Sequence, residues 1–79
     1  MKDHGGRDVM RQWEAADAGC GRLAVGLKRQ VEKMRSGELL HVTARDAGAP
    51  VDLPAWCRIT GHTLILADHP DYVLRKKGN

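Results

Sequence analysis

Asp17-Ala18-Gly19-Cys20-Gly21-Arg22-Leu23-Ala24-Val25-Gly26-Leu27 reads as a short glycine-rich loop that delivers one cysteine to the start of an amphipathic helix. Apolar residues recur at helical spacing just after the cysteine. Leu23, Leu27, Val31 and Met34 therefore share one face. The pattern predicts a helix from about Gly21 to Arg35, with Gly37 as its stop signal. Cys20 then lies at or next to the N-cap. There the unpaired N–H groups and the positive end of the helix dipole face the residue. Such a position lowers a thiol pKa and favours the nucleophilic thiolate, and Arg22 adds positive charge nearby. A free cysteine is more often a small buried apolar residue, but a Gly-Cys-Gly loop is accessible rather than packed.

Working outward, Met1 to Asp8 is polar, contains Gly5-Gly6 and is expected to be a disordered tail. Val9 to Ala16 is expected to hold a first strand centred on Gln12 to Ala15, with Trp13 as its core anchor. Inside the first helix, Gly26 either admits a close neighbour or is simply tolerated at a cost of about 1 kcal/mol relative to Ala. Lys28 and Glu32 are spaced to pair on the exposed side. The basic residues Arg22, Arg29, Lys33 and Arg35 read as a solvated face. Beyond the Ser36-Gly37 turn, Glu38 to Arg45 alternates, with Leu40, Val42 and Ala44 on one side and Leu39, His41, Thr43 and Arg45 on the other. That is a strand with one buried face.

Asp46 to Pro50 is a loop by its turn residues. A second helix fits Asp52 to Thr60, capped by Asp52 or Leu53, with Pro54 in its first turn and Gly61 as the C′ residue. Leu53, Trp56, Cys57 and Thr60 fall on one face, and Trp56, facing the sheet or packing at its edge, is expected to be substantially buried with Leu53 and Leu27. Thr63 to Ala67 and Tyr72 to Lys76 read as strands joined by the turn Asp68-His69-Pro70-Asp71. The order is βαβαββ. The expected class is α+β: a two-layer α/β sandwich, with two helices on one face of a four-stranded mixed sheet. Residues 9–77 should form a single domain.

Composition narrows the function. The chain has 79 residues, a formal net charge of +3, no Phe and 3 aromatic residues, so aliphatic side chains must build a modest core. Two cysteines are too few for a disulfide scaffold, and they suit a reducing cytoplasm, where thiols do chemistry or are buried. No apolar run is long enough to span a membrane, and no signal-peptide pattern opens the sequence. Cys57, on the apolar stripe of the second helix, is expected to be buried. Cys20, Cys57, His62 and His69 lack the short paired spacing of structural zinc sites, so neither metal nor cofactor is expected. Paired carboxylates, a Walker loop and a Ser-His-Asp set are all missing from the pattern. The scarcity of aromatic stacking residues argues against a nucleic-acid partner.

Several motifs together point further. Trp13-Glu14-Ala15 precedes Cys20, Met34-Arg35-Ser36-Gly37-Glu38-Leu39-Leu40 follows the first helix, and Asp52-Leu53-Pro54-Ala55-Trp56-Cys57-Arg58-Ile59-Thr60-Gly61-His62 forms the strongest match. With the closing Tyr72-Val73-Leu74-Arg75-Lys76, the pattern over residues 10–77 resembles the TusA/SirA-like family of small sulfur-carrier proteins. The resemblance implies a persulfide on Cys20, with Gly21 and Arg22 supporting the thiolate. It also implies a sulfur-donor protein (a cysteine desulfurase or a rhodanese-like protein) and a sulfur-acceptor protein, in tRNA thiolation or sulfur metabolism. The carrier would be a monomer. One departure stands out: the family hallmark is Cys-Pro-x-Pro, and this chain reads Cys20-Gly21-Arg22-Leu23. Gly21 adds conformational freedom where a proline would preset φ. The alternative is a non-catalytic module of the same fold that binds protein or RNA, with Cys20 incidental.

Overall fold

Six elements form in the expected order βαβαββ: β1 (Arg11–Ala16), α1 (Cys20–Glu32), β2 (Leu39–Ala44), α2 (Ala49–Thr60), β3 (Thr63–Asp68) and β4 (Asp71–Arg75). The computed structural model describes residues 10–78. The tail expected over residues 1–8 lies outside the described residues, as does Val9. The sheet runs β1-β2-β4-β3. β1 and β2 are parallel, while β4 is antiparallel to both β2 and β3. This is the four-stranded mixed sheet of an α+β protein.

The alternation in β2 sets the layers. Leu40, Val42 and Ala44 are buried, and Leu39, His41 and Thr43 are only partly covered on the opposite side. Tyr72 and Leu74 of β4 and Ala15 of β1 join the buried set. Leu23, Leu27 and Val31 of α1, Met34 just beyond it, and Ala49, Leu53 and Cys57 of α2 complete one cluster. Both helices therefore cover the same face of the sheet. Each fully buried Leu is worth about 1.5–3 kcal/mol of transfer free energy, so a chain without Phe still builds its core. On the open face, His41 Nε2 and Asp71 Oδ1 are 3.0 Å apart. They are diagonal neighbours across the β2–β4 ladder, because His41 pairs with Val73 and Asp71 with Thr43.

Three details differ from the sequence reading. α2 starts at Ala49, not Asp52. Pro50, not Pro54, takes the first-turn position, and Asp46 Oδ2 accepts the Gly48 N–H at 2.8 Å to set the entry. Pro54 lies inside the helix, where it has no N–H for the Pro50 carbonyl. α1 ends at Glu32 rather than Arg35, as Lys33 and Met34 N–H groups bond three residues back, to Gln30 and Val31, and tighten the last turn. Trp56 takes an edge placement, partly buried against the core and stacked on His62 with ring centroids 5.2 Å apart. The stop signals hold: Gly37 and Gly61 both adopt left-handed φ, at +88° and +90°.

The structure settles the role of Gly26. The indole of Trp13 lies directly over it, in space that a Cβ would need, with Cη2 and Cζ2 nearest. Trp13 thus packs on α1 through the gap left by a missing side chain. Helix propensity alone would make Gly26→Ala stabilising by about 1 kcal/mol. We expect instead a loss of about 1–3 kcal/mol, the usual cost of overpacking, read as a lower urea midpoint. A raised midpoint would show that Trp13 has an unstrained alternative.

Candidate functional site

The parallel pairing of β1 and β2 brings the carboxyl ends of both strands to one edge of the sheet. Each strand is followed there by a helix. Cys20 is the first residue of α1 and Gly19 is its N-cap, extended at φ −80° and ψ −172°. The helix opens with the Leu23 N–H donating to the Gly19 carbonyl at 2.7 Å. The N–H groups of Cys20, Gly21 and Arg22 precede that bond and have no acceptor within the helix. Among the described residues no side chain caps them, and the first turn holds no acidic residue. The positive end of the helix dipole is thus left for an anion. Arg22 is exposed in the same turn. All three residues singled out from sequence, Cys20, Gly21 and Arg22, fall within this one turn.

The loop leading to Cys20 is closely tied. Ala16 has a left-handed φ of 54°, unusual for a residue with a Cβ. The Ala18 N–H donates to the Ala15 carbonyl at 3.0 Å, and the Arg45 N–H donates to the Ala16 carbonyl at 2.8 Å. Glu14 Oε2 accepts both the Ala16 N–H at 3.1 Å and Arg45 Nε at 3.3 Å. Sequence reasoning missed Glu14 and Arg45 as site neighbours. They are 31 residues apart and meet only through the β1–β2 register.

The other candidates lie in different surroundings. Cys57 is 2% exposed, and burial pushes its thiol from 9.0 up to about 11. His62 is buried, and its Nδ1 accepts the Lys77 N–H at 3.0 Å, which leaves the neutral ring's proton on Nε2. Burial, and secondly the charges of Lys77 and Lys76, hold its pKa below the usual histidine value. His69 Nδ1 is 2.6 Å from the Tyr72 hydroxyl. Between α1 and α2 runs an open groove of about 570 Å³, lined by Val25, Trp56, Ile59, His62, Lys28 and Lys77 among others. Val25 and Ile59 are exposed apolar side chains there.

The fold defines a class of small two-layer α/β sandwiches, here with the first helix beginning at a cysteine. The Sulfurtransferase TusA family model matches residues 20–75, from Cys20 to the last residue of β4. The chain belongs to the TusA family. It is similar to a putative sulfur carrier protein of Neisseria meningitidis serogroup A, 46% identical over 46 residues, which are 58% of this chain and 62% of the relative. YrkF of Bacillus subtilis strain 168, also named a putative sulfur carrier protein, is 31% identical over 62 residues, 78% of this chain and 34% of the relative. YrkI of the same strain, named likewise, is 36% identical over 52 residues, 66% of this chain and 69% of the relative. The match thus spans less than two thirds of the Neisseria protein and about a third of YrkF. Among the described residues, no helix is long and apolar enough to cross a membrane.

Two outcomes follow from these environments. Cys57, with its thiol near 11, should hold about a hundredfold less thiolate near neutral pH than a thiol at 9.0, so it should alkylate correspondingly slowly in a Cys20→Ser protein. Alkylation at the rate of a free thiol would show that its burial is breached. His62 has a folded-state pKa below its unfolded value of 6.5, so in acid the unfolded chain binds more protons than the native one. Its contribution to stability is therefore present above about 6.5 and is lost as pH falls through the folded value. The urea midpoint should drop on acidification below that point. The drop should be smaller in His62→Asn, whose Oδ1 can accept the Lys77 N–H without titrating.

Proposed function

We propose that this protein carries sulfane sulfur as a persulfide on Cys20 and relays it between two other proteins. The observation that carries the reading is that the family match begins at the residue that opens α1. In the loading step, the Cys20 thiolate attacks the terminal sulfur of a donor persulfide. The donor's S–S bond breaks, a new one forms on Cys20, and the donor leaves as a thiolate. In the unloading step an acceptor thiolate attacks the same terminal sulfur, and Cys20 leaves as a thiolate. Cys20 is anionic or bears an anionic sulfur at each stage, and a helix N-terminus stabilises anions throughout. Arg22 adds to that field, and Gly21 leaves space beside it, since a Cβ there would meet nothing within 4 Å.

The donor is a cysteine desulfurase or rhodanese-like protein, and the acceptor serves tRNA thiolation or another branch of sulfur metabolism. The carrier works in a reducing cytoplasm, as a monomer and as a single domain over residues 9–77. The chain departs from Cys-Pro-x-Pro at two positions with different local consequences. Leu23 donates the first helical hydrogen bond and is 2% exposed, so a proline there would lose both the bond and the core contact. Gly21 has no such task. The groove with Val25 and Ile59 supports the second reading, a module that only docks partners.

Intact mass separates the two. After incubation with a persulfide-bearing donor, the protein should gain the mass of one sulfur atom. Cys57→Ser should keep that gain, Cys20→Ser should lose it, and a reducing agent should remove it. A wild-type protein that gains nothing, or a gain that survives Cys20→Ser, would give the docking module first place.

A further inference from the structure

We propose that Glu14 and Arg45 are positioning residues for Cys20: a clasp that fixes where the chain leaves β1 and takes over the stiffening task of the family's absent prolines. The proposal rests on the reading of Cys20 as the sulfur-carrying residue. It starts from Ala16. A non-glycine residue in the left-handed region costs about 1–2 kcal/mol and persists only where its surroundings over-determine it. Here the surroundings do so from both sides. The Ala16 N–H goes to Glu14 Oε2 at 3.1 Å. Its carbonyl accepts the Arg45 N–H at 2.8 Å. The two holders are themselves joined, Arg45 Nε to Glu14 Oε2 at 3.3 Å. The ladder shifts register between Glu14 and Ala16, which is then placed opposite Ala44.

Only Asp17, Ala18 and Gly19 separate Ala16 from Cys20. One of those is also tied, through the Ala18 N–H to the Ala15 carbonyl. The approach to α1 is thus set before the helix begins. In the family pattern the corresponding restraint is a proline after the cysteine. This chain has Gly21 there, the residue type with the most backbone freedom. The clasp supplies restraint from the other side of Cys20. Its value is not global stability, because the Arg45 and Glu14 side chains are 61% and 53% exposed, and exposed pairs contribute little. What it holds is direction. The dipole acts only within the first turn, so a thiol that wanders leaves its range.

The test reads Cys20 alkylation against pH in a Cys57→Ser protein, with Asp17 and Arg22 left in place throughout. If the clasp positions Cys20, Arg45→Ala and Glu14→Ala should both move the profile to higher pH and slow alkylation near neutral pH, by about threefold or more. Charge alone predicts opposite signs, since Glu14→Ala removes a negative charge and Arg45→Ala a positive one. Gly21→Pro should restore the profile in the Arg45→Ala protein. Unmoved profiles, shifts of opposite sign, or no rescue by Gly21→Pro would each overturn the proposal. The readout needs no sulfur donor. A protein that shows both shifts and the rescue, yet gains no sulfur from a donor persulfide, would keep the clasp and lose the carrier reading.

Discussion

Parallel pairing between β1 and β2 is the constraint on which the rest depends. Two neighbouring parallel strands cannot be joined by a tight turn. The chain must cross from one end of the sheet to the other, and a helix is the usual way to do it. α1 is that crossover. It has to begin at the carboxyl end of β1, so its N-terminus, with Cys20, arrives beside the exit of β2. It also has to lie flat on the sheet, which Leu23, Leu27 and Val31 enforce by burial. The distance of closest approach is set by Trp13 resting on Gly26. A single topological choice therefore determines where the cysteine is and which face of the helix remains outside.

Much of this was legible in the sequence because it rests on local periodicity. Leu40-Val42-Ala44 announced a one-sided strand and Leu23-Leu27-Val31-Met34 a one-sided helix; both sets are buried. Gly37 and Gly61 marked stops because only a residue without Cβ takes their φ easily. What could not be read depends on partners distant along the chain. Two prolines compete for the start of α2, and the choice of Pro50 depends on the Asp46 turn before it. Trp56 falls on the apolar stripe by spacing, but the stripe does not say where the sheet beneath it ends. Gly26 is ambiguous in sequence because the residue that needs its space, Trp13, lies on another element.

The candidate site divides in the same way. The cysteine, its glycine neighbour and Arg22 share a helix start that composition and spacing already suggested. Nothing in the sequence joins Glu14 to Arg45, since each is an ordinary charged residue in its own strand's surroundings. Only the strand register makes them neighbours, and a register is a property of the assembled sheet. The burial of Cys57 was readable from its place on the apolar side of a helix, and that burial raises the energy of its thiolate.

Lys76 reaches back to the far end of α1, where its Nζ donates to the Met34 carbonyl at 2.6 Å. The main chain adds two more ties at that corner, Gly37 N–H to the Lys76 carbonyl and Lys76 N–H to the Glu38 carbonyl, both at 2.9 Å. With Trp13 seated midway, α1 is supported along its length like a beam. Association with such a surface loses little backbone entropy. The remaining ordering cost falls on the long side chains at its rim, Lys28 and Arg29 among them, at about 0.5–1.5 kcal/mol for each one immobilised. The relay proposed for Cys20 needs release as ready as binding. A scaffold held in this way and fringed by long cationic side chains suits brief, repeated encounters better than a surface that has to fold around each visitor.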